Sequence, residues 1–226
     1  MIPNSGVETA AEVAAVIRAE IVSGQLAAGS EIALAELSEQ LDVPMATTRE
    51  ALVRLVDQRM VAVSPDHGYR VAEASRHELR ELTQLRQLIE GEAVRLSVEH
   101  GDERWIRSVR DTHAALAEAE DVAADLAQHE EWRTAHSAFH EALCAQAHND
   151  RLVSIAGVLR DEAEIYRQLS GTATTPARRA EVAGEHRRLM ELAVAGRAEE
   201  AAALLRAHLA GTMDSVMRSV WPGDAV

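Results

Sequence analysis

The chain has 226 residues, 47% hydrophobic and 27% charged, enough for one large or two small domains with real cores; this excludes a disordered or fibrous class. Its net charge of −14 excludes a general polyanion binder, so any contact with duplex DNA must be local, and all 23 basic residues are arginine. A single cysteine, Cys144, excludes an intramolecular disulfide, and no apolar run approaches the ~20 residues that span a bilayer. The start, MIPNSGVETA, lacks the basic flank and apolar block of a signal peptide, so the expectation is a cytoplasmic protein. Aromatics are only 3% and alanine is abundant, which favours close-packed helices over sheets and predicts a mainly α fold.

Thr9-Ala10-Ala11-Glu12 is a capping box, and Val13, Ile17 and Ile21 recur every four residues up to Gly24, predicting a first helix. After a turn at Ala28-Gly29, Leu34, Leu37 and Leu41 mark a short second helix ended by Asp42-Val43-Pro44. A third helix follows at once, from about Met45 to Gln58 with Leu52, Leu55 and Val56 inward. Two short helices joined by a tight turn form a helix-turn-helix pattern. Val61 and Val63, then Tyr69 and Val71, alternate around Pro65-Asp66-His67-Gly68, which predicts a two-stranded wing. Residues 1–73 therefore read as a winged helix-turn-helix domain. They carry five arginines against eleven carboxylates, yet Arg49, Arg54 and Arg59 concentrate on or beside the third helix, where duplex would lie.

Residues 74–226 read as an antiparallel α-helical bundle. Ser75-Arg76-His77-Glu78 is a second capping box, opening a long helix that carries Leu79, Leu82, Leu85, Leu88 and Ile89. Further helices are predicted from about Asp102 to Glu120, Asp125 to Ala147, Asp150 to Leu169, Pro176 to Ala195 and Ala198 to Val220. Thr175-Pro176 supplies a cap and first helical residue, and Gly196 a stop. Trp132, His136, His140, Leu143 and Ala147 share one helical face, so both imidazoles look inward. His186 sits above Leu189, Met190 and Ala193, and His208 follows Leu204 and Leu205, which places two more histidines on buried stripes. An i, i+4 pair can chelate an ion from one side while histidines of other helices close the far side. A buried histidine more commonly just satisfies its hydrogen bonds, so each of the four taken alone indicates little.

These residues resemble the FadR-like class of GntR-family transcription regulators, whose FCD effector domain carries Asp-x-x-x-His on one helix and a histidine on each of the last two. Phe139-His140, Asn149, Glu185-His186 and His208 match that pattern, with His136 standing where the family more often has aspartate. The resemblance extends to the first domain through Ile17-Arg18, Ile21, Gly24, Leu26, Gly29, Leu37, Arg49-Glu50-Ala51-Leu52, Leu55 and Gly68. It implies DNA contact by Arg49, with Thr47, Thr48, Arg54 and Gly68 beside it. The chain departs at Met45, where the family often has arginine, and at Thr47-Thr48, where it has Pro-Val. It departs again at Arg59, where glycine is usual and a left-handed residue would cost roughly 1 kcal/mol. Arg86-Gln87-Leu88-Ile89-Glu90 resembles the family's Arg-x-x-Leu-Glu segment, whose arginine faces the effector; an i, i+4 pair of Arg86 with Glu90 is the alternative.

The resemblance thus implies a ligand-responsive regulator, dimeric and bound to a palindromic operator, with His136, His140, His186 and His208 as metal ligands. Imidazole ligands suit Zn²⁺, with Ni²⁺ possible chemistry for the same set, better than Mg²⁺ or Ca²⁺. Four neutral ligands leave the ion's +2 charge uncompensated, which predicts a small carboxylate effector on the metal, steadied by Arg86. Two alternatives remain open at this point: a sensor of the ion itself, and a metal-dependent hydrolase, which would need an acid or base at the open position, whereas Glu185, next to His186, is expected to point off the inner stripe. The expectation is no enzyme.

Overall fold

The computed structural model describes residues 9–63, 68–122, 130–169 and 175–222. The chain separates into two compact units, Met1–Ser75 and Arg76–Val226. In the first, α1 (Ala10–Val22) begins at the Thr9 capping box, with the Thr9 hydroxyl accepting from the Glu12 N–H and the Glu12 carboxylate accepting from the Thr9 N–H. Its Val13, Ile17 and Ile21 face inward against α3 (Met45–Asp57), which follows α2 (Leu34–Leu41) across a turn that places Asp42 in the left-handed region. Gly29, at φ +76°, makes the turn its composition predicts; the Glu73 side chain lies where a Cβ would project.

The wing strands β2 (Val61–Val63) and β3 (Tyr69–Val71) pair antiparallel, Val61 opposite Val71. A third strand, β1 (Glu31–Ile32), pairs with the other edge of β3, giving the order β1-β3-β2. Sequence reasoning missed β1 because two residues are too short to show an alternation. The expected tip of the wing at Pro65-Asp66-His67 lies outside the described residues.

Helix α3 ends in a Schellman motif: the Arg59 N–H donates to Val56 C=O and the Met60 N–H to Leu55 C=O, with Arg59 at φ +57°. The strained arginine anticipated from the sequence is therefore present. Met60 beyond it is buried, which anchors the motif to the core.

The second unit holds α4 (Arg76–His100), α5 (Glu103–Val122), α6 (Glu130–Cys144), α7 (Asp150–Leu169), α8 (Pro176–Val194) and α9 (Ala198–Val220). Helix α4 runs through the middle against α9, α7 and α6, while α5 packs on α6 and α8. Phe139, Leu143, Leu116, Leu189 and Leu205 are fully buried at the centre of its apolar cluster. Thr175 caps α8, its hydroxyl accepting from the Arg178 N–H, and Gly196 closes it at φ +71°. The helix expected from Asp125 is described only from Glu130 and stops at Cys144 rather than Ala147.

The leucines of α4 do not share one face. Leu85 and Leu88 are 44% and 68% exposed, while the buried stripe of the helix reads Leu79, Leu82, Thr83, Arg86, Glu90, Ala93, Val94, Ser97 and Val98. Polar residues occupy the inner face at mid-helix and leucines the outer one. No described helix is long and apolar enough to cross a membrane.

Replacing Arg59 with glycine removes a side chain from a left-handed position, so Arg59→Gly is expected to stabilise the first unit by roughly 0.5–1 kcal/mol. Urea titration of the two proteins checks this; an unchanged or lower midpoint contradicts it.

Candidate metal centre and nucleic-acid interface

The inner stripes of α6, α8 and α9 bring four imidazoles to one point. His136 and His140 lie one turn apart on α6, His186 comes from α8 and His208 from α9, and each offers a ring nitrogen within 4.8 Å of the others. All four are buried, His186 completely. Ring centroids are 4.5 Å apart for His136 and His140, 4.9 Å for His186 and His208, and 5.4 Å for His140 and His208.

Two carboxylates set the orientation of the rings. Glu120 of α5 accepts from His186 Nδ1 at 2.8 Å, and Glu185 of α8 accepts from His208 Nδ1 at 2.7 Å. Each bond assigns the proton to Nδ1 and leaves the Nε2 lone pair for the centre, the arrangement in which metal-binding histidines are commonly held. The Nε2 atoms of His140 and His186 are buried without a hydrogen-bond partner. Buried polar atoms rarely stay unpaired, so these orphan lone pairs fit a bound cation. The residues present therefore suit a divalent ion that prefers nitrogen ligands.

Electrostatics agrees with neutral imidazoles. Burial pushes His136 well below its usual pKa, helped by the nearby Arg167 cation; burial and the neighbouring His208 do the same for His140. Burial lowers His208 to about 4 against the raising influence of Glu185. Burial by itself would raise Glu185, but the bond from His208 and the charge of Arg178 outweigh it and hold that carboxyl below its usual range.

A ring of buried charge borders the histidines. Arg86 Nε donates to Glu90 at 2.6 Å, with Glu90 wholly buried and Arg160 3.8 Å from its second oxygen. Arg167 pairs with Glu164 at 2.7 Å, and its NH1 lies 2.8 Å from Nδ1 and 3.1 Å from Nε2 of His136. A guanidinium can only donate, so this contact engages a His136 lone pair. Of the sequence-predicted site residues, the four histidines meet, and Arg86 stands in the same unit in the intrahelical pair with Glu90 that was its alternative reading.

Sequence reasoning missed Glu120, Arg160, Glu164 and Arg167, and it expected Glu185 to point away from the site. The signals existed: Glu120 extends the inward series Val109, His113, Leu116, and Arg160, Glu164 and Arg167 follow Ala156 at steps of four, four and three residues. His113 lies edge-on to Phe139 and is partly buried, which lowers its pKa.

In the first unit, the exposed side of α3 carries Arg49, which makes no ion pair among the described residues, and Arg54, which pairs with Glu50 at 2.9 Å. Thr47 is partly buried and Gly68 lies at the start of β3. Thr48 requires correction as a DNA-contacting residue. It is 0% exposed, and its hydroxyl accepts from Ser38 at 2.9 Å, joining α3 to α2 in the interior.

The chain matches two described families: residues 9–71 match the bacterial regulatory proteins of the gntR family, and residues 81–211 match the FCD domain. It is 35% identical over 205 residues to the HTH-type transcriptional regulator BphR of Paraburkholderia xenovorans (strain LB400), covering 88% of this chain and 82% of that protein. The chain belongs to the GntR family.

Within it, the FCD domain and these relatives place the chain in the FadR-like class of transcription regulators, not among enzymes. The HTH-type transcriptional repressor GlaR of Escherichia coli (strain K12) is 28% identical over 195 residues, 85% of this chain and 89% of that repressor. The structure of E. coli McbR/YncC superposes with a TM-score of 0.82 at 21% identity over 94% of this chain and 98% of that one. A putative GntR regulator from Rhodococcus sp. RHA1 superposes with a TM-score of 0.75 at 22% identity, over 92% and 97%. These two likenesses establish a shared fold.

The depressed imidazoles have a stability consequence. Folded His208 stays neutral to about pH 4, whereas an unfolded histidine takes its proton near pH 6.5. Below pH 6.5 the unfolded chain binds protons that the folded chain refuses, so stability is full above that pH and falls as pH drops toward 4. For His208 alone the loss at pH 5 is on the order of 2 kcal/mol. The metal-free GntR protein should lose melting temperature steadily between pH 7 and 5, and His208→Gln should flatten that slope; parallel slopes would contradict the assignment.

Proposed function

We propose that this GntR-family chain is a homodimeric, one-component regulator in which a metal-bound small carboxylate controls operator binding. The first unit, residues 1–73, reads a palindromic DNA operator, with Arg49 as its principal contact and Thr47, Arg54 and Gly68 nearby. The second, residues 74–226, holds one divalent transition metal on His136, His140, His186 and His208. The observation that carries the reading is the pair of orphan Nε2 atoms, on His140 and His186, at a centre where Glu120 orients His186 and Glu185 orients His208. Zn²⁺ is the leading ion and Ni²⁺ the next, since both favour imidazole.

Bound there, the ion supplies an uncompensated positive charge in a water-poor interior, and an anion is the ligand that offsets it. Arg86 and Arg167 would take the outer oxygen of a carboxylate, Arg167 exchanging its contact with the His136 lone pair for the anion and so releasing that nitrogen to the metal. Effector and operator affinities are then coupled in both directions. A regulator that binds chromosomal DNA works in the cytoplasm. Dimerisation is supported by the outward leucines: Leu85 and Leu88 on α4, and Ile155 and Val158 on α7 against which it packs, are all exposed large hydrophobics.

Native mass spectrometry of the purified protein tests the assembly and the metal together. Two subunits with one ion each are expected, with His140→Ala and His208→Ala losing the ion; full metal content in both variants ends the assignment. In a thermal-shift screen, hydroxy acids, dicarboxylates or sugar acids should raise the melting temperature of the metal-loaded protein more than the metal-free one. Arg86→Ala alone would strand a buried Glu90, so the double change Arg86→Met, Glu90→Gln is the informative variant; it should weaken anion binding at least tenfold while the fold persists.

Arg49→Ala should weaken binding to a cognate operator by roughly 1–3 kcal/mol, and an unchanged anisotropy titration would remove Arg49 from the interface.

A further inference from the structure

Helix α3 opens on Met45, a large apolar side chain that is 48% exposed. The helix buries Thr48, Ala51, Leu52 and Leu55, so its inward face is fully accounted for without Met45. Met45 and Arg49 are four residues apart and are adjacent exposed positions at the helix start, bordering the buried stripe, with Thr47 partly buried beside them. One turn on, Glu50 and Arg54 pair with each other and cancel in charge. The leading turn of the exposed face therefore offers one apolar side chain and one cation.

The residues at the N-terminal end of a recognition helix are those that meet base edges in the major groove. A base edge there presents several donors and acceptors but a single apolar group, the 5-methyl of thymine. An unbranched thioether has no hydrogen bond to offer a guanine or an adenine, yet it fills irregular apolar surface well. From this geometry we propose that Met45 is a specificity-determining residue, packing on a thymine 5-methyl group in each operator half-site next to the base pair or phosphate engaged by Arg49. The inference rests on the proposed role of α3 in reading DNA.

The test replaces thymine by uracil, which preserves base pairing and removes only the methyl group. Full-length protein first selects its preferred sites from randomised duplexes, and each fixed thymine is then replaced by deoxyuridine. A two-fold symmetric site with a fixed thymine in each half is expected, and its uracil version should bind about fourfold less tightly per half-site, the worth of one buried methyl. Met45→Ala, checked for an unchanged melting temperature, should bind the thymine and uracil duplexes equally, and Met45→Leu should retain the preference. A selected site with no sensitivity to uracil, or with the same sensitivity in Met45→Ala, overturns the role of Met45 while leaving DNA reading by α3 in place. Failure of the wild-type protein to enrich any sequence overturns the reading of α3 itself, and Met45 with it.

Discussion

Four imidazoles in the middle of a helical bundle are the constraint around which the second unit is built. Burial removes the water that would satisfy eight ring nitrogens, and an unmet polar atom there costs roughly 1–3 kcal/mol. The unit answers with carboxylates from different helices, Glu120 of α5 for His186 and Glu185 of α8 for His208, and leaves Nε2 atoms of His140 and His186 without a protein partner. Each glutamate is itself a charge in a largely apolar setting, so the cost is moved outward, to Arg178 beside Glu185, until it reaches solvent. A core built only for stability would be cheaper with leucine at all four positions.

The same demand explains the inverted stripe of α4. Around the site the helix turns Arg86 and Glu90 inward and leaves Leu85 and Leu88 outside. Helix α7 repeats the exchange, with Arg160 and Glu164 buried and Ile155 and Val158 exposed. An inner face given over to a buried ionic network removes apolar area from the core, and the exposed hydrophobics of both helices then await a different partner. In the proposed dimer the polar interior and the apolar exterior are two sides of one design, because the area lost from the core is recovered between subunits.

Much of this was legible in the chain. The capping box at Thr9, the leucine spacing of α2, the alternating valines of the wing and the Thr175-Pro176 start each rest on local chemistry, and each lies where sequence placed it. The four histidines were legible because their stripes are periodic. What escaped notice was non-local or contrary to the hydrophobic rule. Glu120 reads as one more acid on an acidic helix until α8 brings His186 to it. Leu85 and Leu88 fit an apolar spacing, but Arg160, seventy positions beyond Glu90, pairs with it, and Glu90 holds Arg86, so the inner face goes to the ionic pair. Thr48, by contrast, was legible: it leads the i, i+3, i+4, i+7 stripe Thr48, Ala51, Leu52 and Leu55 that α3 buries, and its hydroxyl meets Ser38 of α2 there.

The first unit, by contrast, is economical in charge. Most of its arginines are engaged by acids or by neutral partners, Arg54 by Glu50, Arg70 by Glu73 and Arg18 by Gln58, which leaves Arg49 on α3 and Arg59 just beyond it as the cations offered to a phosphate or a guanine. Non-specific DNA affinity scales with the number of phosphates neutralised, so a single head holds duplex weakly. Weakness of the single head is what makes control possible. When two heads are joined, the second contact forms at the effective concentration set by the first, and the pair gains several orders of magnitude without any new contact. That gain is lost when the two heads cannot engage both half-sites at once. In the proposed dimer a head that bound tightly alone would stay on DNA whatever the effector did; a head this poor in cations would make operator occupancy depend on the pair, and so on the state of the proposed effector domain.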